Sequence, residues 1–89
     1  FLSCPDWVSA RGMRMLGAPV KGDAQVVSGE SGAVGMGVIS ALMADPVYAE
    51  LKAKLGLNAQ SRVLLFSTEG DTDPENYRKI VWNGAVASL

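Results

Sequence analysis

The sequence contains no histidine, one cysteine and no excess of charge of either sign. Eight Lys and Arg stand against nine Asp and Glu in 89 residues, a formal net charge of -1. The basic residues are scattered, so the chain lacks the electrostatic footprint that nucleic acid or an anionic membrane surface would need. Without His, no catalytic triad or imidazole acid/base pair can be made within the chain, and one thiol with nine carboxylates is poor material for zinc. No metal role is expected. The single Cys4 cannot form an internal disulfide, which fits a reducing compartment and makes the cytoplasm the expected location. No stretch reaches the roughly 18 to 20 apolar residues that span a bilayer, and the first residues lack the basic-then-apolar order of a signal peptide. No membrane-inserted segment is expected.

Hydrophobic residues make up 48% of the chain, enough for an ordered core, and ten are glycine, many inside apolar segments. Such glycines point to close backbone packing. A chain this short buries only about 60 to 65% of its unfolded surface and supports one small core at most. It opens on Phe1 and runs straight into an apolar-periodic pattern. The expectation is a fragment of something longer, with residues 1–89 forming a single unit.

Pro5 and Asp6 supply helix-start chemistry, Trp7, Val8, Met13 and Leu16 can share one helical face, and Gly17 and Pro19 stop it. A first helix is therefore expected over 5–17. Residues 18–24 read as a loop, and 25–28 (QVVS) as a short buried strand ending at Gly29. From Ser31 the run SGAVGMGVISALMA is long enough for a helix that ends at Asp45 and Pro46. Its Gly32, Gly35 and Gly37 lower helix propensity, so packing must require them. Pro46 opens a further helix that carries Tyr48, Leu51 and Leu55 inward and Glu50, Lys52 and Lys54 outward, with Gly56 as its C-cap. The run SRVLLFS at 61–67 has the pattern of a strand buried on both faces, as in a parallel sheet. A polar loop follows, and Pro74 opens a last helix that turns Tyr77, Ile80 and Val81 inward, leaving a frayed tail from Asn83. This order predicts an α/β arrangement whose two strands need others beside them.

Open α/β sheets place ligands beyond the carboxyl ends of their strands, which singles out SGES at 28–31 and STEGDTD at 67–73. In the first, the amides of residues 31–34 would point out of a helix N-terminus beside Glu30, forming a polar wall for a small ligand. The simpler alternative is that Ser31 caps the helix and the glycines only let it pack. In the second, Ser67 and Thr68 present two hydroxyls that could hydrogen-bond a ring nitrogen or a carboxylate. Glu69, Asp71 and Asp73 could bind a cation, but the remaining positions of a calcium loop are wrong, and Asx-type turns are the commoner use of such acids. Lys21, Lys52, Lys54 and Lys79 lie in polar settings that do not lower an amine pKa for nucleophilic work. Cys4 has no basic partner nearby and reads as an inert buried thiol. Trp7, Trp82 and the four methionines, Met13, Met15, Met36 and Met43, read as core or interface fillers.

Three ordered stretches, SCPDWVSARGMRML, VVSGESGAVGMG and RVLLFSTEGDTDPENYRKIVWNG, together resemble the C-terminal part of the diaminopropionate ammonia-lyase family, along essentially the full chain. That family consists of pyridoxal-phosphate enzymes of the tryptophan-synthase-β-like type. The resemblance implies the C-terminal part of a fold-type II α/β enzyme, three layers (α/β/α) around a mostly parallel sheet, incomplete in this chain. It implies a homodimer that eliminates ammonia from 2,3-diaminopropionate to give pyruvate and a second ammonia, with pyridoxal phosphate as cofactor.

By the same resemblance, Ser67, with Thr68 as second choice, is expected on the cofactor's pyridine nitrogen. Glu30 is expected beside the ring, and Ser31 and Gly32 along its edge. No catalytic residue is expected in the chain itself, because the resemblance puts the Schiff-base lysine, the acid/base partner and the phosphate loop upstream of residue 1. Alone, the chain is expected to be inactive. The alternatives are a fragment of a β-eliminating relative such as a serine or threonine dehydratase, against which EGDTD and CPDW argue, and a non-catalytic remnant that serves subunit association.

Overall fold

The computed structural model describes residues 2–86. Helix α1 spans Asp6–Gly17, α2 Glu30–Ala44, α3 Ala49–Lys54 and α4 Pro74–Val81, with a 3-10 turn at Pro46–Tyr48 between α2 and α3. Helix α1 is the central element and packs against both α2 and α4. The core forms along those two seams from Val8, Ala10 and Met13 of α1, Ala33, Ala41 and Leu42 of α2, and Tyr77, Ile80 and Val81 of α4. No single helix is long and apolar enough to cross a membrane; among the described residues, α2 and Pro46–Lys54 pass that test only as a pair bent by 89°.

Two glycines explain how closely α1 and α2 approach. A Cβ at Gly12 would overlap the Ala33 carbonyl oxygen, and a Cβ at Gly37 would overlap the Val8 carbonyl oxygen. The helices therefore meet backbone to backbone, and the propensity lost at Gly37 is offset by this contact. The start and stop signals act as the sequence suggests. Asp45 accepts from the Val47 N–H at 3.1 Å, Asp73 accepts from the Asn76 N–H at 3.2 Å, and Gly56 takes φ +73° after α3.

Several expectations are corrected. The helix expected from Ser31 begins at Glu30, and the helix expected from Pro46 opens as a 3-10 turn. Leu55 and Trp82 are exposed, while Lys52 is half-buried. Cys4 is exposed in the lead-in to α1 and not buried. The tail is not frayed as far as Val86. Arg14 donates to the carbonyls of Ile80, Ala85 and Val86 at 3.3, 3.1 and 3.3 Å, and Ala85 N–H reaches the Lys79 carbonyl at 2.9 Å.

No strand forms among the described residues. The segments 25–28 and 61–67, expected as strands, carry no ladder because a ladder needs strands alongside them. They touch at their carboxyl ends, where Gly29 N–H donates to the Glu69 carbonyl at 3.3 Å. Exposure along the second segment alternates: Val63 and Leu65 are 46% and 40% exposed, Leu64 and Phe66 78% and 76%. That is the period of two of an extended chain. The more covered side lies on α2, where Leu65 presses against Gly35, and the other side is open. The segment is thus partly shielded on one face and open on the other.

Candidate functional site

The carboxyl ends of the two segments bring Ser28 and Ser67 together, although 39 residues separate them in sequence. Ser67 Oγ donates to Ser28 Oγ at 2.8 Å, and Ser28 Oγ donates to the Gly29 carbonyl at 3.3 Å. Ser28 is fully buried, whereas Ser67 is exposed. The pair rests on the bare Cα of Gly32: a Cβ there would stand 2.6 Å from Ser28 Oγ and 3.0 Å from Ser67 Oγ. Gly32 is required in α2 by this hydroxyl pair.

The start of α2 is capped from a distance. Glu69 accepts from the Ser31 N–H through its carboxylate at 2.9 Å, and the Ala33 N–H donates to the Gly29 carbonyl at 3.0 Å. A carboxylate on a helix N-terminus contributes about 0.3–1 kcal/mol. The N-cap position is Gly29, with no side-chain cap, so Ser31 is not the cap. The Ser31 and Ala33 amides are already engaged within the chain, which narrows the amide wall expected over 31–34.

Glu30 Oε1 accepts from Asn76 Nδ2 at 2.7 Å, tying the first residue of α2 to the first turn of α4. Glu30 lines a polar cleft of about 170 Å³ with Glu69, Gly70, Asp71, Asp73 and Tyr77. Thr68 is exposed and lies outside both this cleft and the hydroxyl pair. Of the residues expected from sequence, Ser67 and Gly32 converge, Ser31 contributes its amide to the adjoining turn, and Glu30 faces α4. Among the described residues no group of three or more His, Cys, Asp or Glu side chains could hold a metal ion.

Three contributors escaped the sequence reading: Ser28 as the partner of Ser67, Glu69 as the cap of α2, and Asn76 on Glu30. Ser28 follows two valines, so its position at a strand's polar end was the one available signal. Next to the cleft, the Tyr77 hydroxyl is buried without a hydrogen-bond partner. Burial, and secondarily the Asp71 carboxylate, raise its pKa above the ordinary 10.0. It stays a neutral phenol at physiological pH.

Ser28, Ser67 and Gly32 come together next to Gly29 and Glu69 of the polar cleft, and nearly the whole chain matches a stretch of longer proteins. The sequence is 52% identical over 87 residues to the diaminopropionate ammonia-lyase of Escherichia coli strain K12. Over nearly its whole length the chain is similar to one stretch of the diaminopropionate ammonia-lyases. That match takes in 98% of this chain but 22% of the relative's length. The ammonia-lyase of Salmonella typhimurium strain LT2 is 49% identical over 88 residues, again 22% of its length. The crystal structure of the E. coli ammonia-lyase in apo form superposes with a TM-score of 0.88 over 96% of this chain and 23% of that one. The same enzyme in complex with an aminoacrylate-PLP azomethine reaction intermediate also gives 0.88, over 22% of that chain. No protein-family model matches the chain.

Proposed function

We propose that this chain forms one wall of the cofactor site in a pyridoxal-phosphate-dependent lyase that eliminates ammonia from 2,3-diaminopropionate, yielding pyruvate and ammonia. In this reading it is the C-terminal portion of the catalytic domain of a cytoplasmic, homodimeric enzyme of fold type II. The segments 25–28 and 61–67 are then strands of a mostly parallel sheet completed by the rest of that domain. The observation that carries the reading is the Ser67 hydroxyl held against Ser28 and Gly32 in a stretch shared with ammonia-lyases.

The residues present fit a pyridine ring edge. A serine hydroxyl can donate to a ring nitrogen, and the absence of a side chain at Gly32 leaves room for the Ser67 and Ser28 oxygens to meet. Bound pyridoxal phosphate supplies the electron sink that lets a proton leave the substrate α-carbon and a β-substituent depart. The chain's share is binding and tuning. Ser67 would hold the ring nitrogen with a neutral hydroxyl, which cannot stabilise a ring cation as a carboxylate would, and so would suit a β-elimination. Gly32 and Ser31 would line the ring's edge, and Glu30, which accepts from Asn76, would set the negative potential beside it. None of the four lysines is placed for the Schiff base: Lys54 and Lys79 stand in solvent against Glu50 and Glu75 at 3.4 and 3.7 Å, Lys21 is exposed, and the half-buried Lys52 lies on α3 and lines neither cleft that includes Glu30.

A segment exchange tests this directly. This chain replaces the matching stretch of the E. coli ammonia-lyase, and pyruvate release from 2,3-diaminopropionate and pyridoxal-phosphate binding are measured. The expected outcome is a folded, cofactor-loaded enzyme that releases pyruvate, impaired at least 10-fold by Ser67→Ala and unchanged by Lys54→Ala. A folded exchange product that binds no cofactor would make the chain a scaffold remnant and sink the proposal.

A further inference from the structure

We infer that Ser28 is a positioning residue for the candidate cofactor contact: its buried hydroxyl holds the Ser67 oxygen in place and, by rotating, lets the Ser67 proton turn outward. The inference rests on the reading of Ser67 given above and adds to it a device within the chain. A hydroxyl carries one proton and two acceptor lone pairs, so Ser67 can donate in only one direction at a time. Here it donates to Ser28, and Ser28 passes its own proton to the Gly29 carbonyl. When an acceptor such as a ring nitrogen faces Ser67, the Ser67 proton turns outward and its lone pair is left facing Ser28. Rotation of the Ser28 hydroxyl then satisfies that lone pair. Ser28 stays hydrogen-bonded in both arrangements, which a fully buried hydroxyl requires.

Two further contacts make the rotation nearly free. The Gly29 carbonyl also accepts from the Ala33 N–H at 3.0 Å, so it keeps a partner when Ser28 turns away. Gly32 fixes the floor beneath both oxygens, so the pair changes proton direction without the oxygens moving. The Glu69 carbonyl, 3.4 Å from Ser67 Oγ, is an alternative acceptor for the same proton, longer than the contact with Ser28.

The test is a double-mutant cycle in the exchanged ammonia-lyase, read as pyridoxal-phosphate affinity by absorbance titration and as the pH dependence of the bound cofactor's absorption band. Circular dichroism confirms folding of each variant. Ser28→Ala is expected to weaken cofactor affinity about 3- to 10-fold and to shift the pH profile, effects of one lost hydrogen bond. In a Ser67→Ala background, Ser28→Ala is expected to change neither further, because its role runs through Ser67. Equal losses in both backgrounds would reduce Ser28 to a structural residue and overturn the inference, as would no loss where Ser67→Ala alone shows one. If Ser67→Ala itself has no effect, the reading of Ser67 fails, and that outcome is distinct from uncoupled losses. Should Ser28→Ala not fold, Ser28→Cys, similar in size and a much weaker hydrogen-bonding group, enters the same cycle with the same expectations.

Discussion

Tyr77 carries an unpaired buried hydroxyl, which is costly in a small core. A Cβ at Gly17 would stand 2.5 Å from it, so the hydroxyl end of the ring fills the space that the glycine leaves. Removing the oxygen removes an unsatisfied polar atom and keeps the ring, so Tyr77→Phe should stabilise the fold by about 1 kcal/mol. The raised pKa adds a pH signature. The folded state holds the phenol proton above the pH at which the unfolded chain releases it, so this contribution is complete below about pH 10 and is lost as pH rises through the folded-state value. Thermal melts of the original and Tyr77→Phe proteins between pH 7 and 11 should show a gap that widens above pH 10 in favour of Phe. A constant gap would mean that the hydroxyl is reached by water.

At the scale of elements, the glycines of α1 and α2 decide stability in opposite ways according to what stands opposite them. A Cβ at Gly12 meets the Ala33 carbonyl, which belongs to a helix backbone and cannot give way. A Cβ at Gly35 meets only the end of the Leu65 side chain, 2.9 Å away, which can rotate. Alanine gains about 1 kcal/mol of helix propensity at either site. Gly12→Ala should nonetheless lose stability, since overpacking against fixed atoms costs about 1–3 kcal/mol, while Gly35→Ala should be neutral or slightly stabilising. Urea unfolding of the two variants checks the contrast, and equal effects would contradict the backbone contact. The sequence already announced the helices because their signals are local: Pro74, Asp45 and Pro46, and Gly56 act within one turn. It did not announce Glu69 on Ser31 or Ser67 on Ser28, since each pairing spans 38 or 39 residues and leaves no trace in local spacing. Leu55 misled because an apolar residue at helical spacing does not say whether anything lies opposite.

For the whole molecule, the decisive feature is the open side of the segment 61–67. Its composition announced a strand covered on both faces, and the chain supplies a helix for one face only. Leu64 and Phe66 forgo about 1.5–3 kcal/mol each by standing in water, a large sum for a core this small. The relatives matched are several times longer than this chain, which covers 22% of their length. If the remainder of such an enzyme covers Leu64 and Phe66, one pair of substitutions should act with opposite sign in two settings. In the chain by itself, Leu64→Lys with Phe66→Lys should lower self-association by light scattering and leave the melting temperature nearly unchanged, because neither side chain is buried. In the exchanged ammonia-lyase the same pair should prevent folding, because two charges would enter a closed layer without partners. A lyase that folds and keeps its activity with both lysines would show that this face stays open in the longer protein, and the sheet in the proposed architecture would have to be abandoned.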